Sequence, residues 1–149
     1  MKKLHACLLV VAGLLFSATA FTQKAPKTPL FRAYPADVSL ESNMLERTLT
    51  SSTGDNVSLE LAEGFTFKGK VISNTQVYSN MQTVVVRSAE LDNSIMQVTK
   101  ISNPNGPSTY SCRIVNQKAS DGYAMKPAQQ GNLHLKKVET DRLLPDCNQ

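Results

Sequence analysis

The chain has 149 residues, with 16 Lys and Arg against 12 Asp and Glu, a formal charge of +4, three Cys and no Trp. So slight a charge excess, with no block of like charges, predicts no nucleic-acid partner and no charged binding tail. The length fits one domain able to bury a real core.

Lys2 and Lys3 precede an apolar run from Leu4 to Phe16, and Ser17-Ala18-Thr19-Ala20 supplies a small-residue cleavage site. That order is the composition of a secretory signal peptide over residues 1–20. The apolar run falls short of the roughly 20 residues that a membrane span requires. The expected mature chain is therefore secreted or periplasmic, with no stable membrane span. It loses Lys2 and Lys3 and no acid, so its charge falls from +4 to +2.

Residues 21–36 contain Pro26, Pro29 and Pro35, which lack amide donors and hold their predecessors extended. The segment reads as a leader or tether, with Leu30, Phe31 and Tyr34 available for docking. Residues 37–149 are expected to form a single β-rich domain. In its first part Leu40, Met44, Leu45 and Leu49 fall at helical spacing, which predicts a short helix from Asp37 to Leu49 capped by Asp37 or Ser39, with an extended reading left open by the β preference of Thr48, Thr50 and Thr53.

From residue 55 onward the period becomes two. Val57, Leu59 and Leu61 alternate with polar residues, as do Phe65, Phe67, Gly69 and Val71. A short piece at Gln76–Tyr78 follows the Ser73-Asn74 turn signal. Thr83–Ser88 contains Val84-Val85-Val86, expected to be buried on both faces. Ile95–Ile101 follows Asp92-Asn93, and Asn103-Pro104-Asn105-Gly106-Pro107 is the strongest turn signal. Tyr110, Cys112 and Ile114 share a face of the returning strand. Asp121-Gly122 and Gln130-Gly131-Asn132 mark turns before Tyr123–Lys126 and Leu133–Val138, and a polar tail follows. The pattern predicts an all-β fold, an antiparallel meander of about six to eight short strands closing as a small barrel or a sandwich. An outer-membrane barrel is the weaker option, since its strands run about 9–11 residues between aromatic girdles and this pattern offers neither.

Two cysteines survive processing, Cys112 and Cys147. In an oxidising compartment they are the disulfide candidates; one free buried thiol beside one exposed thiol is the competing reading. A bridge would close a loop of about 35 residues and contribute about 3–4 kcal/mol.

Catalytic motifs are weak. His134, the one histidine after residue 20, lies between Leu133 and Leu135, so alternation turns it to solvent. Neither it nor the separated cysteines suggests a metal site, and no cofactor, catalytic set or cofactor-binding residue is expected. Gly64 and Gly69 read as a turn and a close contact, not a phosphate loop. Lys68, Lys70, Arg87, Lys100, Arg113, Lys136 and Lys137 fall mostly at outward strand positions. They either form a basic face for anionic glycans or lipids or simply keep the strands soluble.

The segments Val57-Ser58-Leu59-Glu60-Leu61, Gly64–Val71, Met81–Ser88 and Tyr110–Val115 resemble a group of small exported β-rich proteins of Bacteroidota-type bacteria that have no assigned activity. The resemblance covers residues 57 to 138 and implies an exported β-rich domain with no site residues to carry over. The expected role is a non-catalytic binding or structural accessory module that contacts a protein or glycan of the cell envelope. The alternatives are a small hydrolase using His134 with Asp121 or Glu139, and an inhibitor of an exported protease presenting Asn103–Pro107.

Overall fold

The structure is a computed structural model that describes residues 26–129 and 133–140. Residues 1–20, the Gln130–Asn132 turn, the tail from 141 and Cys147 lie outside these described residues. The elements are β1 (Asp37–Leu40), α1 (Ser42–Thr50), β2 (Asn56–Ala62), β3 (Phe65–Tyr78), β4 (Met81–Ser88), β5 (Ser94–Ile101), β6 (Thr109–Val115), β7 (Asp121–Ala124), β8 (Ala128–Gln129) and β9 (Leu133–Glu139).

All strand pairs are antiparallel, in the order β1-β9-β7-β6-β5-β4-β3-β2, with β8 extending the partner of β6. The first strand swings round to pair with the last, and β1 then approaches β2 without joining it. The all-β expectation holds, and the sheet coils into a nearly closed barrel rather than two packed sheets. Register puts Val71, Val86, Met96, Ile114 and Tyr123 in one inward row across β3 to β7. All five are essentially fully buried, and Val84, Val98 and Cys112 form the next row.

Several local expectations are corrected. Asp37–Leu40 is a strand, so the helix begins only at Ser42, and neither Asp37 nor Ser39 caps it. Glu41 stands at the N-cap without a side-chain cap bond. The apolar spacing suits both readings here, since Leu40 enters the core from a strand and Leu45 and Leu49 from the helix. Ser73-Asn74 is not a turn: β3 runs 14 residues through a register shift between Val71 and Ser73. Val84 and Val86 are buried but Val85 faces outward and is half-buried, so that run alternates after all. Asp121 and Gly122 open β7 rather than form a turn. The Asp92-Asn93 turn is as expected, with positive φ of 47° and 60° and a Ser94 N–H to Leu91 carbonyl bond of 2.9 Å.

Different pieces close the two ends of the barrel. At the Tyr123 end the supposed tether is part of the core. Phe31 is fully buried, and its N–H and that of Leu30 donate to the Asp121 carboxylate at 2.7–3.1 Å. Tyr34 stacks on Phe65 at 4.2 Å, and the Tyr123 hydroxyl donates to the Pro35 carbonyl at 2.6 Å. Burial, with Asp121 and Tyr34 nearby, pushes the Tyr123 phenol up to about 12.

At the other end α1 packs on β4 and β5. Asn74 and Gln82 donate amide hydrogens to the Leu49 carbonyl, each at 2.9 Å, satisfying a helix end that would otherwise lack partners. Glu46 accepts from Lys100 at 2.6 Å and from the Tyr110 hydroxyl. Burial alone would raise the Glu46 carboxyl, but these two donors outweigh it and hold it below 4.5. A depressed folded value means stability that is present above the unfolded value and lost as pH falls through the folded one. The stability of wild type, read by urea unfolding followed by circular dichroism, is therefore expected to fall toward that of Glu46→Gln as pH drops below about 4.5. At neutral pH the substitution is expected to remove about 1 kcal/mol, a low value because the carboxylate is partly solvated.

Candidate functional site, a cleft in the barrel wall

The wall of the barrel parts between β7 and β9. These strands pair only from Asp121↔Glu139 to Ala124↔Lys136. Beyond Ala124 the chain stays with β6, through a 2.8 Å bond from the Met125 N–H to the Cys112 carbonyl and the Ala128↔Tyr110 pair. Pro127 has no N–H to give to β9 in any case. Beyond Lys136, β9 instead stays with β1, down to Leu133↔Leu40. The result is a cleft of about 880 Å³. Ala124, Met125, Pro127, Ala128 and Val138 supply its apolar surface, and Asp37, Lys126, His134 and Lys136 its polar one. Its volume is that of a small-molecule site, in which apolar walls hold a ligand and a few polar groups orient it.

The polar rim is organised by β1. Lys137 donates its N–H to the Ala36 carbonyl at 2.8 Å, which makes Ser39↔His134 and Asp37↔Lys136 the closely spaced, non-hydrogen-bonded pairs of this ladder. Asp37, Ser39, His134 and Lys136 consequently crowd together on the outer face. His134 Nδ1 lies 2.9 Å from Asp37 Oδ1, and Lys136 Nζ lies 3.7 Å from Asp37 Oδ2. A carboxylate acceptor at Asp37 calls for the proton on Nδ1, and in that tautomer Nε2 is the ring nitrogen that can accept.

The expected carboxylate partners of His134 do not reach it. Asp121 is buried and occupied by the leader backbone, and Glu139 ends β9 beside Asp121 in register. His134 is on the solvent face as alternation requires, 47% exposed. Its orienting residue is Asp37, 97 positions away, which sequence reasoning missed. The only local hint was the Asp37-Val38-Ser39-Leu40 alternation, which the overlapping helical spacing obscured. No group of three or more possible metal ligands occurs among the described residues. The Asn103–Pro107 tip is a compact turn, closed by the Gly106 N–H to the Asn103 carbonyl and the Asn105 N–H to Asn103 Oδ1, rather than a long extended loop.

Cys112 is buried beside Val98 with no disulfide partner among the described residues, and burial pushes its thiol up to about 12. Its candidate partner, Cys147, lies outside the described residues. A thiol so raised contains almost no thiolate at neutral pH, and thiolate is the reactive form. Iodoacetamide is therefore expected to leave Cys112 unmodified in the folded protein and to label it once the chain is unfolded in urea. Labelling in urea that appears only after adding a reductant, read by peptide mass, would place it in a bridge.

Taken together, the fold and site define a small, nearly closed antiparallel β-barrel with a side cleft, plugged by the segment before β1 and by a helix. The chain matches no protein-family model, and neither a curated protein nor a solved structure is significantly similar to it. No helix among the described residues is long and apolar enough to cross a membrane.

Proposed function

We propose that the chain is an exported, non-catalytic binding module of the cell envelope, and that it holds an amphipathic ligand with an anionic head in the cleft between β8 and β9. The observation that carries this reading is the parting of the wall beyond Ala124↔Lys136. It turns Met125, Ala128 and Val138 toward the opening. Lys126 and Lys136 border it, against one carboxylate at Asp37. An apolar body would be desolvated on the walls while its anionic end meets the two amines.

The dye 1-anilinonaphthalene-8-sulfonate has that chemistry and serves as the probe. Saturable fluorescence enhancement is expected with wild type, weakened about tenfold by Val138→Asp, which places a charge against the apolar body. Lys126→Glu is expected to weaken it as well. Equal dye binding by all three proteins, each still folded by circular dichroism, would dispose of the cleft as the site.

A second reading is favoured by one specific contact, the 2.9 Å approach of His134 and Asp37 with Ser39 opposite the imidazole. Such an order suits a serine activated by an oriented base in ester hydrolysis. On this reading p-nitrophenyl acetate turnover is lost alike in Ser39→Ala and His134→Ala. Turnover unchanged by Ser39→Ala removes it.

A further inference from the structure

Seven basic residues on the strands were candidates for a single basic face, but they do not form one. Lys100 and Lys137 point along the inner rows: Lys100 pairs with Glu46, and Lys137 donates to the Tyr34 carbonyl at 2.6 Å. Arg113 is held by Gln97 at 2.7 and 3.0 Å, and Lys136 lies by Asp37. The three that remain, Lys68, Lys70 and Arg87, gather on the outer face of β2, β3 and β4.

Register makes this cluster unusual. Lys70 stands directly opposite Arg87, an arrangement in which like charges repel across the ladder. Neither has an acidic partner among the described residues, while Lys68 has a loose one in Glu90 at 3.8 Å. On the other side Asn56 stands opposite Lys70 and Ser58 opposite Lys68, adding an amide and a hydroxyl. Together with Gly69 and Ala89 these side chains line a cleft of about 400 Å³. Gly69 contributes by what it lacks. A Cβ there would lie 2.5 Å from the Arg87 carbonyl oxygen, so glycine is what allows β3 to lie close against the Arg87 backbone.

The geometry points to a second binding site, separate from the β8–β9 cleft, at which Lys68, Lys70 and Arg87 receive a phosphate group, with Asn56 and Ser58 placed for hydroxyls of an attached sugar. Three cations against one carboxylate leave a local charge that a phosphate monoester dianion neutralises. The Arg87 fork suits paired phosphate oxygens, and the lysines act as point charges. A purely solubilising surface would instead alternate signs across the ladder, as Lys136 and Asp37 do.

The test is a two-dimensional NMR titration of the mature protein with inorganic phosphate and, separately, with glucose 1-phosphate. Saturable shifts are expected at the amides of residues 56, 69, 70 and 87. In the double variant Lys70→Gln/Arg87→Gln the affinity is expected to fall about tenfold or more. Lys118→Gln, an exposed cation elsewhere, should leave it unchanged. The double variant is also expected to melt no lower than wild type without ligand, since it relieves the repulsion, and to lose the rise in Tm that phosphate gives wild type. Tighter binding of the sugar phosphate supports an envelope glycan as the source, and equal binding supports phosphate itself. Absence of saturable shifts at these amides, or an equal loss in Lys118→Gln, overturns the site.

Discussion

Phe31→Ala is expected to remove about 3–5 kcal/mol of stability, among the largest single-residue effects in this chain. The ring is wholly inaccessible to solvent and meets Tyr123 edge-on at 5.5 Å, with Phe65 at 6.3 Å and Tyr34 at 6.4 Å. Truncation leaves a cavity at the barrel end that the surrounding strands cannot close, because their register is set by hydrogen bonds on both sides. The same change weakens the reason for the Leu30 and Phe31 amides to stay on Asp121. Asp121→Ala, which strips both amides of their charged acceptor, is accordingly expected to cost about 2–3 kcal/mol. With no Trp and four Tyr in the chain, intrinsic tyrosine fluorescence reports directly on this end, since Tyr34 and Tyr123 both belong to the cluster. Urea unfolding followed in that way should show midpoints falling for both variants. A loss below about 1 kcal/mol for Phe31→Ala would mean that residues 28–36 are a tether and not a plug.

Gly69→Ala is the second large effect, expected at about 1–3 kcal/mol from overpacking. The added methyl would lie 2.5 Å from the Arg87 oxygen, 2.8 Å from its carbonyl carbon and 2.8 Å from Val86 Cγ1. Two of these three atoms are backbone, so β3 itself must move away from β4, and Val86 is a fully buried member of the central row. Gly64 offers the contrast. A Cβ there meets open space, but φ is 72°, so Gly64→Ala strains only the backbone and is expected to cost about 1 kcal/mol. Thermal melts of the two variants side by side separate the mechanisms. A Gly69→Ala protein as stable as wild type would show that the β3–β4 contact yields without penalty. The same displacement is expected to weaken phosphate binding at Lys70 and Arg87.

Alternation is a local property, and most of what it implied about strands was therefore readable. Phe65, Phe67, Val71, Tyr110, Cys112 and Ile114 are all buried where the period of two put them, and His134 faces outward. The Asp92-Asn93 turn was equally legible, because Asp and Asn tolerate positive φ. Lys100 and Lys137 depart from the outward placement expected of charged strand residues. Both occupy inward positions near the barrel ends, where a long side chain can carry its charge past the core to an acceptor, Glu46 or the Tyr34 carbonyl. The period of two carries no information about acceptors beyond the strand itself.

By itself, then, the amino-acid order determined the all-β character, most strand positions and the identity of most of the core, since these follow from neighbours two to four residues apart. Only the tertiary structure decided that Asp37–Leu40 is a strand, that Phe31 plugs the barrel, that β1 meets β9 and that the wall parts beyond Ala124. It also brought Asp37 to His134 and Lys70 to Arg87. Each of these is a pairing between residues far apart in the chain, selected by which edges the coiled sheet leaves adjacent, and no local period encodes that choice.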